Sequence, residues 1–278
     1  MPFRTILAIT GVRDGDGDIK LAAGLSEQTG AHLSVMAVAL AAPPPIGDYA
    51  APLSDAWAEE RRMDMANLDK RTQAVQGLLA AMPISSDVTS AYAEMGWSDE
   101  IIGRRARYAD LTVIGPEMLS GGTLRNKAME GALFSSGRPV LLAPAGTAPT
   151  LKPKRVMVAW DSRLEASRAV REALEILARA DEVRVVLVDP VEGEYDHGEE
   201  PGADVAAYLA RHGANVAVDR LPKSGQDVAD VLRRHAGDMS ADLLVMGAYG
   251  HSRLRERIFG GVTKSMLAAP SLPILMAR

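Results

Sequence analysis

The sequence predicts an α/β protein of two tandem domains, each a five-stranded parallel sheet flanked by helices. Three observations carry this expectation. The chain has 278 residues, where one domain takes roughly 150. Short apolar runs, continuous rather than alternating, are separated by helical stretches, the pattern of strands buried on both faces of a parallel sheet. The order of these runs in the first half returns in the second.

The halves open with TILAIT (5–10) and VMVAWD (156–161), each followed by a polar loop and a helical stretch. HLSVMAVAL (32–40) and EVRVVLVDP (182–190) are the second strands, ADLTVIGP (109–116) and ADLLVMGA (241–248) the fourth, RPVLLAP (138–144) and LPILMAR (272–278) the last. A repeat of roughly 135 residues is too long for a solenoid unit and right for a duplicated domain. GTAPTLKPKR (146–155), rich in Pro, Gly and Thr, reads as the linker between domains 1–147 and 151–278. Over 164–179, Ala166, Ala169, Val170, Ala173, Leu174 and Leu177 recur at helical spacing and mark a helix with one apolar stripe. The stretch 56–82 is an amphipathic helix whose methionines read as core filler. Alternating strands and helices with right-handed crossovers give a doubly wound sheet, whose ligands bind beyond the carboxyl ends of the strands where the strand order reverses. In the second half three turns meet there: Asp161-Ser162, Val188-Asp189 and the loop after the fourth strand.

Composition excludes several classes of function. The net charge is −5, without the basic stripe of a nucleic-acid binder. There is no cysteine, hence no disulfide or thiolate metal site, in keeping with a reducing compartment. No apolar run reaches the roughly 20 residues of a membrane helix. MPFRTILAITGVRDGD meets acidic residues too soon for a signal peptide. The expectation is a soluble, cytoplasmic protein with neither nucleic acid nor membrane as partner.

GAYGHSRLRERIFGGVTK (247–264) holds four of the 25 glycines, at 247, 250, 260 and 261. An apolar strand precedes it and a helical stretch follows. Strand, glycine-permitted loop and helix start together make an anion site, because the first amides of a helix lack partners and its dipole favours negative charge. Glycine lets the main chain approach without a Cβ in the way. Ser252 and Thr263 would add hydroxyls, His251 and Arg253 positive charge. The spacing fits neither GxxxxGK[ST] nor GxGxxG.

The spacing G-x2-G-x9-G-(S/T)-V-(T/S), here GAYG, HSRLRERIF and GGVT, resembles the nucleotide loop of the universal stress protein family. With the strand-ending Asp161, the linker and the duplicated layout, the chain resembles the family's tandem members over nearly its whole length, most closely in 154–278. That resemblance implies two Rossmann-like domains and ATP with Mg2+ or Mn2+ on its phosphates. It implies adenosine against Ala159, Trp160, Asp161, Val188, Met246 and Gly247, and phosphates against Gly250, Gly260, Gly261, Val262 and Thr263, with His251 and Ser252 in the same loop. The family usually has Ser or Thr where Gly261 stands, so one hydroxyl is lost and its amide kept. The function implied is a nucleotide-binding stress-response module read by an unknown protein partner. The last strands of the halves suit edge pairing, which would give a pseudo-dimer within the chain or a homodimer of chains.

The first half departs from the pattern. Met118 stands for Gly250, Asn126 and Lys127 for Gly260 and Gly261, and Thr10 for Asp161. Side chains at 118 and 126 are expected to crowd the cradle, and this domain is expected not to hold ATP. Other constellations read as structure. RDGDGDI (13–19) lacks the glycine and glutamate of a calcium loop and reads as a polar turn; the acids of 189–204 read as a solvated loop. His32 reads as structural, His212 and His235 as exposed or capping. No nucleophile, base and acid come together, so no catalytic residue is assigned and hydrolysis would be slow at most. An adenylate-forming enzyme would need glycines where DSRLEAS (161–167) has none; an interaction scaffold without nucleotide is the other alternative.

Overall fold

The structure, a computed structural model, describes residues 3–41, 43, 50–190, 200–248, 261–268 and 270–278. The chain divides into two units, Phe3–Arg138 and one holding Pro139–Arg278.

The first unit runs β1 (Thr5–Gly11), α1 (Gly17–Thr29), β2 (His32–Ala41), α2 (Ala50–Ala80), β3 (Ser86–Glu94), α3 (Ser98–Ala106), β4 (Leu111–Ile114), α4 (Pro116–Leu119), α5 (Thr123–Glu130) and a π-helical turn, Gly131–Ser135. Its strands lie in the order β3-β2-β1-β4 and all pairs are parallel. The second unit holds β5 (Val140–Leu142), β6 (Arg155–Ala159), α6 (Leu164–Glu172), α7 (Leu174–Leu177), β7 (Glu182–Val188), α8 (Ala203–Arg211), β8 (Val216–Leu221), α9 (Val228–Asp238), β9 (Leu243–Gly247), α10 (Gly261–Ala268) and β10 (Ile274–Ala277). Five parallel strands run β10-β9-β6-β7-β8. β5 adds a sixth, antiparallel to β10 with Leu141 opposite Leu275, so the stretches 138–144 and 272–278 do pair.

Burial explains which strands the sequence revealed. β4 and β10 are buried at every residue, and β1 and β9 at all but one. β3 and β8, the third strand of each half of the sequence, lie at the ends of these strand orders and are mostly half-exposed. Their one-sided environment tolerates SDVTSAYAE and VAVDRL, which form no apolar run. The helix expected over 164–179 is broken at Ala173 (φ −88°, ψ −1°) into α6 and α7. The break turns Ile176 into the core, while Leu174 is only half-buried. In α2 the core side is Leu68, Val75 and Leu79; Met63 and Met65 are 54% and 48% exposed and fill no core, contrary to expectation.

At the amino ends of β1–β3 a polar network closes the sheet. The Asp87 carboxylate accepts from Arg105 Nη2 at 2.8 Å and lies 3.3 Å from His32 Nε2. Arg105 also donates to Ser34 Oγ at 2.7 Å, and His32 Nδ1 lies 2.8 Å from Ser85 Oγ. Only about 60 Å³ is open there, too little for more than water. His32 is thus structural, as expected. Burial pushes the Asp87 carboxyl up, but the Ser34 hydroxyl, the Arg105 charge and His32 together outweigh it and hold it below its ordinary value of 3.8. A depressed acid stabilises the fold above its unfolded value and stops doing so as pH falls through the folded one. Asp87→Asn should therefore lower the urea midpoint at pH 7 and reduce the loss of stability below pH 3.8, checked by denaturation at stepped pH.

Candidate functional site

β6 and β9 are neighbours in the second unit, and right-handed crossovers carry the chain away from them in opposite directions. β6 passes through Trp160, whose N–H still bonds Val186 O at 3.0 Å, to Asp161 and Ser162, a left-handed residue (φ 61°). Asp161 caps this turn, accepting from the Arg163 N–H at 3.1 Å, with its side chain 58% exposed. β7 is followed by Asp189 (φ 46°), whose N–H bonds Leu221 O and whose Oδ1 accepts from the Lys223 N–H at 2.8 Å. Asp189 and Val183 donate toward β8, and Val186 accepts from Trp160 on the β6 side. By alternation the main-chain groups of Val188 face the β6 side, beyond the point where β6 has ended.

Gly247, the end of β9, packs on the start of α6. A Cβ there would lie 2.5 Å from the Ala166 N and 2.7 Å from the Glu165 carbonyl carbon, both main chain. The bare residue lets α6 come close enough to wall a cavity of about 380 Å³, a size suited to a small ligand. Ala166, Val186, Val228, Leu232 and Met246 give it apolar walls; Asp161, Arg163 and Glu165 stand at its polar side, and the first turn of α10, Gly261, Val262 and Thr263, closes it.

Of the residues expected from sequence, this cavity gathers Ala159, Trp160, Asp161, Val188, Met246, Gly247, Gly261, Val262 and Thr263. Gly250, His251, Ser252 and Gly260 lie outside the described residues, as does 191–199 of the acidic loop. The sequence reading missed Arg163, Glu165, Ala166, Val186, Val228 and Leu232. Two signals could have found some of them: Val186 shares a strand face with Val188, and Val228 and Leu232 share a helix face.

The corresponding end of the first unit is arranged differently. Ile6 pairs with Leu111, and Val156 with Leu243. Gly115 therefore corresponds to Gly247, and Gly11 to Asp161; the residue aligned with Thr10 is Trp160, a one-residue correction to the alignment of apolar runs. Asn126 is exposed, whereas Met118 is 3% exposed, and this end is filled from within the chain. There the buried Asp18 accepts from the N–H groups of Glu117 at 3.0 Å and Met118 at 2.9 Å. Burial pushes the Asp18 carboxyl up, the two amides pull it down, and Glu117 and Asp14 add to the upward push, which prevails. Asp14 accepts from the Gly11 N–H and Asp16 pairs with Arg71, so RDGDGDI is a turn held by its own chain. Among the described residues no group of three acidic or histidine side chains suits a metal ion. His212 is exposed and its ring lies tilted by 59° against that of Tyr208, whereas His235 is half-buried, 2.9 Å from Asp219.

Because the α6 main chain cannot shift cheaply, Gly247→Ala should cost about 1–3 kcal/mol, read as a lower urea midpoint at unchanged slope. An unchanged midpoint would mean that α6 does not seat on this glycine.

Comparison with known proteins gives a family. A model of the universal stress protein family matches residues 152–278. No curated protein sequence matches. Among solved structures, a universal stress protein from Archaeoglobus fulgidus DSM 4304 aligns over 99% of this chain and 98% of its own, at 16% identity and TM-score 0.60. A functionally unknown protein from Pseudomonas aeruginosa PAO1 aligns over 99% and 92%, at 16% identity and TM-score 0.52. A universal stress protein in complex with cAMP aligns over 46% of this chain and 98% of its own, at 18% identity and TM-score 0.36, too partial an overlap to bear on the site. The long alignments show a shared fold, and the family model gives the second unit its name: residues 152–278 are a domain of the universal stress protein family.

Proposed function

We propose that the second unit binds an adenine nucleotide, with ATP as the ligand and Mg2+ or Mn2+ carried on its phosphates, and that the bound state is a regulatory signal read by a partner protein. One observation carries the reading: segments far apart in sequence converge on a single cavity at the carboxyl ends of β6, β7 and β9, closed by the first turn of α10. The apolar walls suit a planar base. The main-chain N–H and C=O of Val188 offer one donor and one acceptor to its edge. Asp161, exposed at the mouth, suits the hydroxyls of a ribose. The first amides of α10, which have no acceptor within the helix, suit the phosphates together with the glycine-rich loop before it.

Each residue has a definable task in this reading. Gly247 leaves room for α6, which walls the cavity. Gly260 and Gly261 present amides without side chains. None of the described residues lies within 4 Å of a Cβ built at Gly261, so none of them bars a side chain there. Binding in the cytoplasm and assembly through edge strands belong to the same proposal.

Native mass spectrometry or calorimetric titration with ATP tests this at one equivalent per chain, with Trp160 as a fluorescent reporter in the cavity wall. Gly260→Val should abolish binding while unfolding stays cooperative. Gly261→Ser should tighten it: one added hydrogen bond of about 0.5–1.5 kcal/mol is roughly 2- to 12-fold in affinity. Unaltered affinity in Gly260→Val would place the anion elsewhere. Absence of binding by the wild-type protein would leave the scaffold reading; turnover with a second substrate would favour the enzyme.

A further inference from the structure

We propose that the first unit is closed by a built-in anion: the Asp18 carboxylate holds the loop amides after β4 that the corresponding loop of the second unit presents to a ligand's phosphates. The comparison with phosphate rests on the nucleotide reading above; the Asp18 contact does not.

Strand register fixes the correspondence. Gly115 stands for Gly247, so Glu117 and Met118 stand for Tyr249 and Gly250, the opening of the glycine-rich loop. Both Asp18 oxygens accept, one from each amide, at 3.0 and 2.9 Å. An oxygen pair engaged by two donors is the arrangement an oxyanion takes at such a turn. Asp18 is 6% exposed. A Cβ built on Gly115 would fall inside the Asp18 carboxylate, so the glycine here makes room for a side chain of the same chain.

The rest of this strand end is also occupied from within. Arg71, 10% exposed, reaches from α2 to Asp16 Oδ1 at 2.7 Å, Thr10 Oγ1 at 3.0 Å and the Gly15 carbonyl. Glu117 Oε1 accepts from the Gly17 N–H at 3.1 Å. Val12 and Tyr92 pack on Ala37, Ala39 and Leu68 above the end of β2. The source of the plug is local: the turn between Gly11 and Gly17 delivers Asp18 in the first turn of α1, toward the loop after β4. In the second unit the turn between Ala159 and Leu164 delivers Glu165 in the first turn of α6, and that residue stands at the side of an open cavity. Duplication thus leaves one end open and one filled, and the chain takes one nucleotide rather than two.

Chemical rescue tests this on the full-length protein without nucleotide. Asp18→Ala exposes two amide donors to an emptied, carboxylate-sized space. Its thermal midpoint should fall by roughly 3–10 °C. Sodium formate should recover most of that loss, while sodium chloride at equal ionic strength should not, and neither should act differentially on the wild type. A variant as stable as the wild type, or one to which formate and chloride are equivalent, would overturn the proposal. Should Asp18→Ala fail to fold, hydrogen exchange of the wild-type protein decides: the Glu117 and Met118 amides should be protected without ligand, and free exchange of both would refute the contact. Since nucleotide enters neither experiment, the failure of this inference and the failure of the ATP reading are separable.

Discussion

β6 and β9 lie side by side and part at their carboxyl ends, and α6 seats against the end of β9 only because Gly247 carries no side chain. This glycine is the point where strand β9 meets the main chain of α6, with Ala166 N and the Glu165 carbonyl carbon too near for any added Cβ. The close approach lets α6 wall the cavity while β7 and α9 supply Val186, Val228 and Leu232. Everything proposed for the second unit follows from that meeting. An apolar slot with polar main-chain edges and a helix start at one end is a chemical description of a site for a flat ring joined to an anion.

The two copies show how one topology is turned to opposite ends. Each has its fourth strand beside its first, parallel, followed by a glycine at position 115 or 247. In the second, the glycine admits main chain from α6; in the first, it admits the carboxylate of Asp18. A few residues in the turn after the first strand decide which. Filling the end is not free: burial opposes ionisation of Asp18, and the two amides only partly offset it. The network of Arg71, Asp16 and Thr10 shows that the first unit supplies a cation as well as an anion from its own chain.

Much of this was legible in the sequence, for physical reasons. Buried parallel strands must be continuously apolar, so the first, second, fourth and fifth of each half stood out, and the third strands did not because they are half-exposed. The spacing of Gly247, Gly261, Val262 and Thr263 pointed to residues that the fold does bring to one cavity. What was hidden depended on register and on side-chain reach. Aligning apolar runs matched Thr10 with Asp161, while hydrogen-bonded pairing aligns Gly11 with it, and a shift of one reverses the face of every residue. Met63 and Met65, read as core filler, stand two apart on opposite sides of α2 and both face solvent. No short motif announces Asp18, because its partners, Glu117 and Met118, lie about a hundred residues away in sequence.

The central claim is that main-chain amides at the start of α10 hold the anionic end of a nucleotide whose base lies between β6 and β9. A crystal structure of the protein soaked or grown with a non-hydrolysable ATP analogue addresses it directly. The account predicts the base against Val186, Val188 and Met246, the ribose beside Asp161, and the phosphates at the amides of 260–263. A ligand with its phosphates at any other part of the chain, or a cavity taken up by side chains of 249–260, would contradict it.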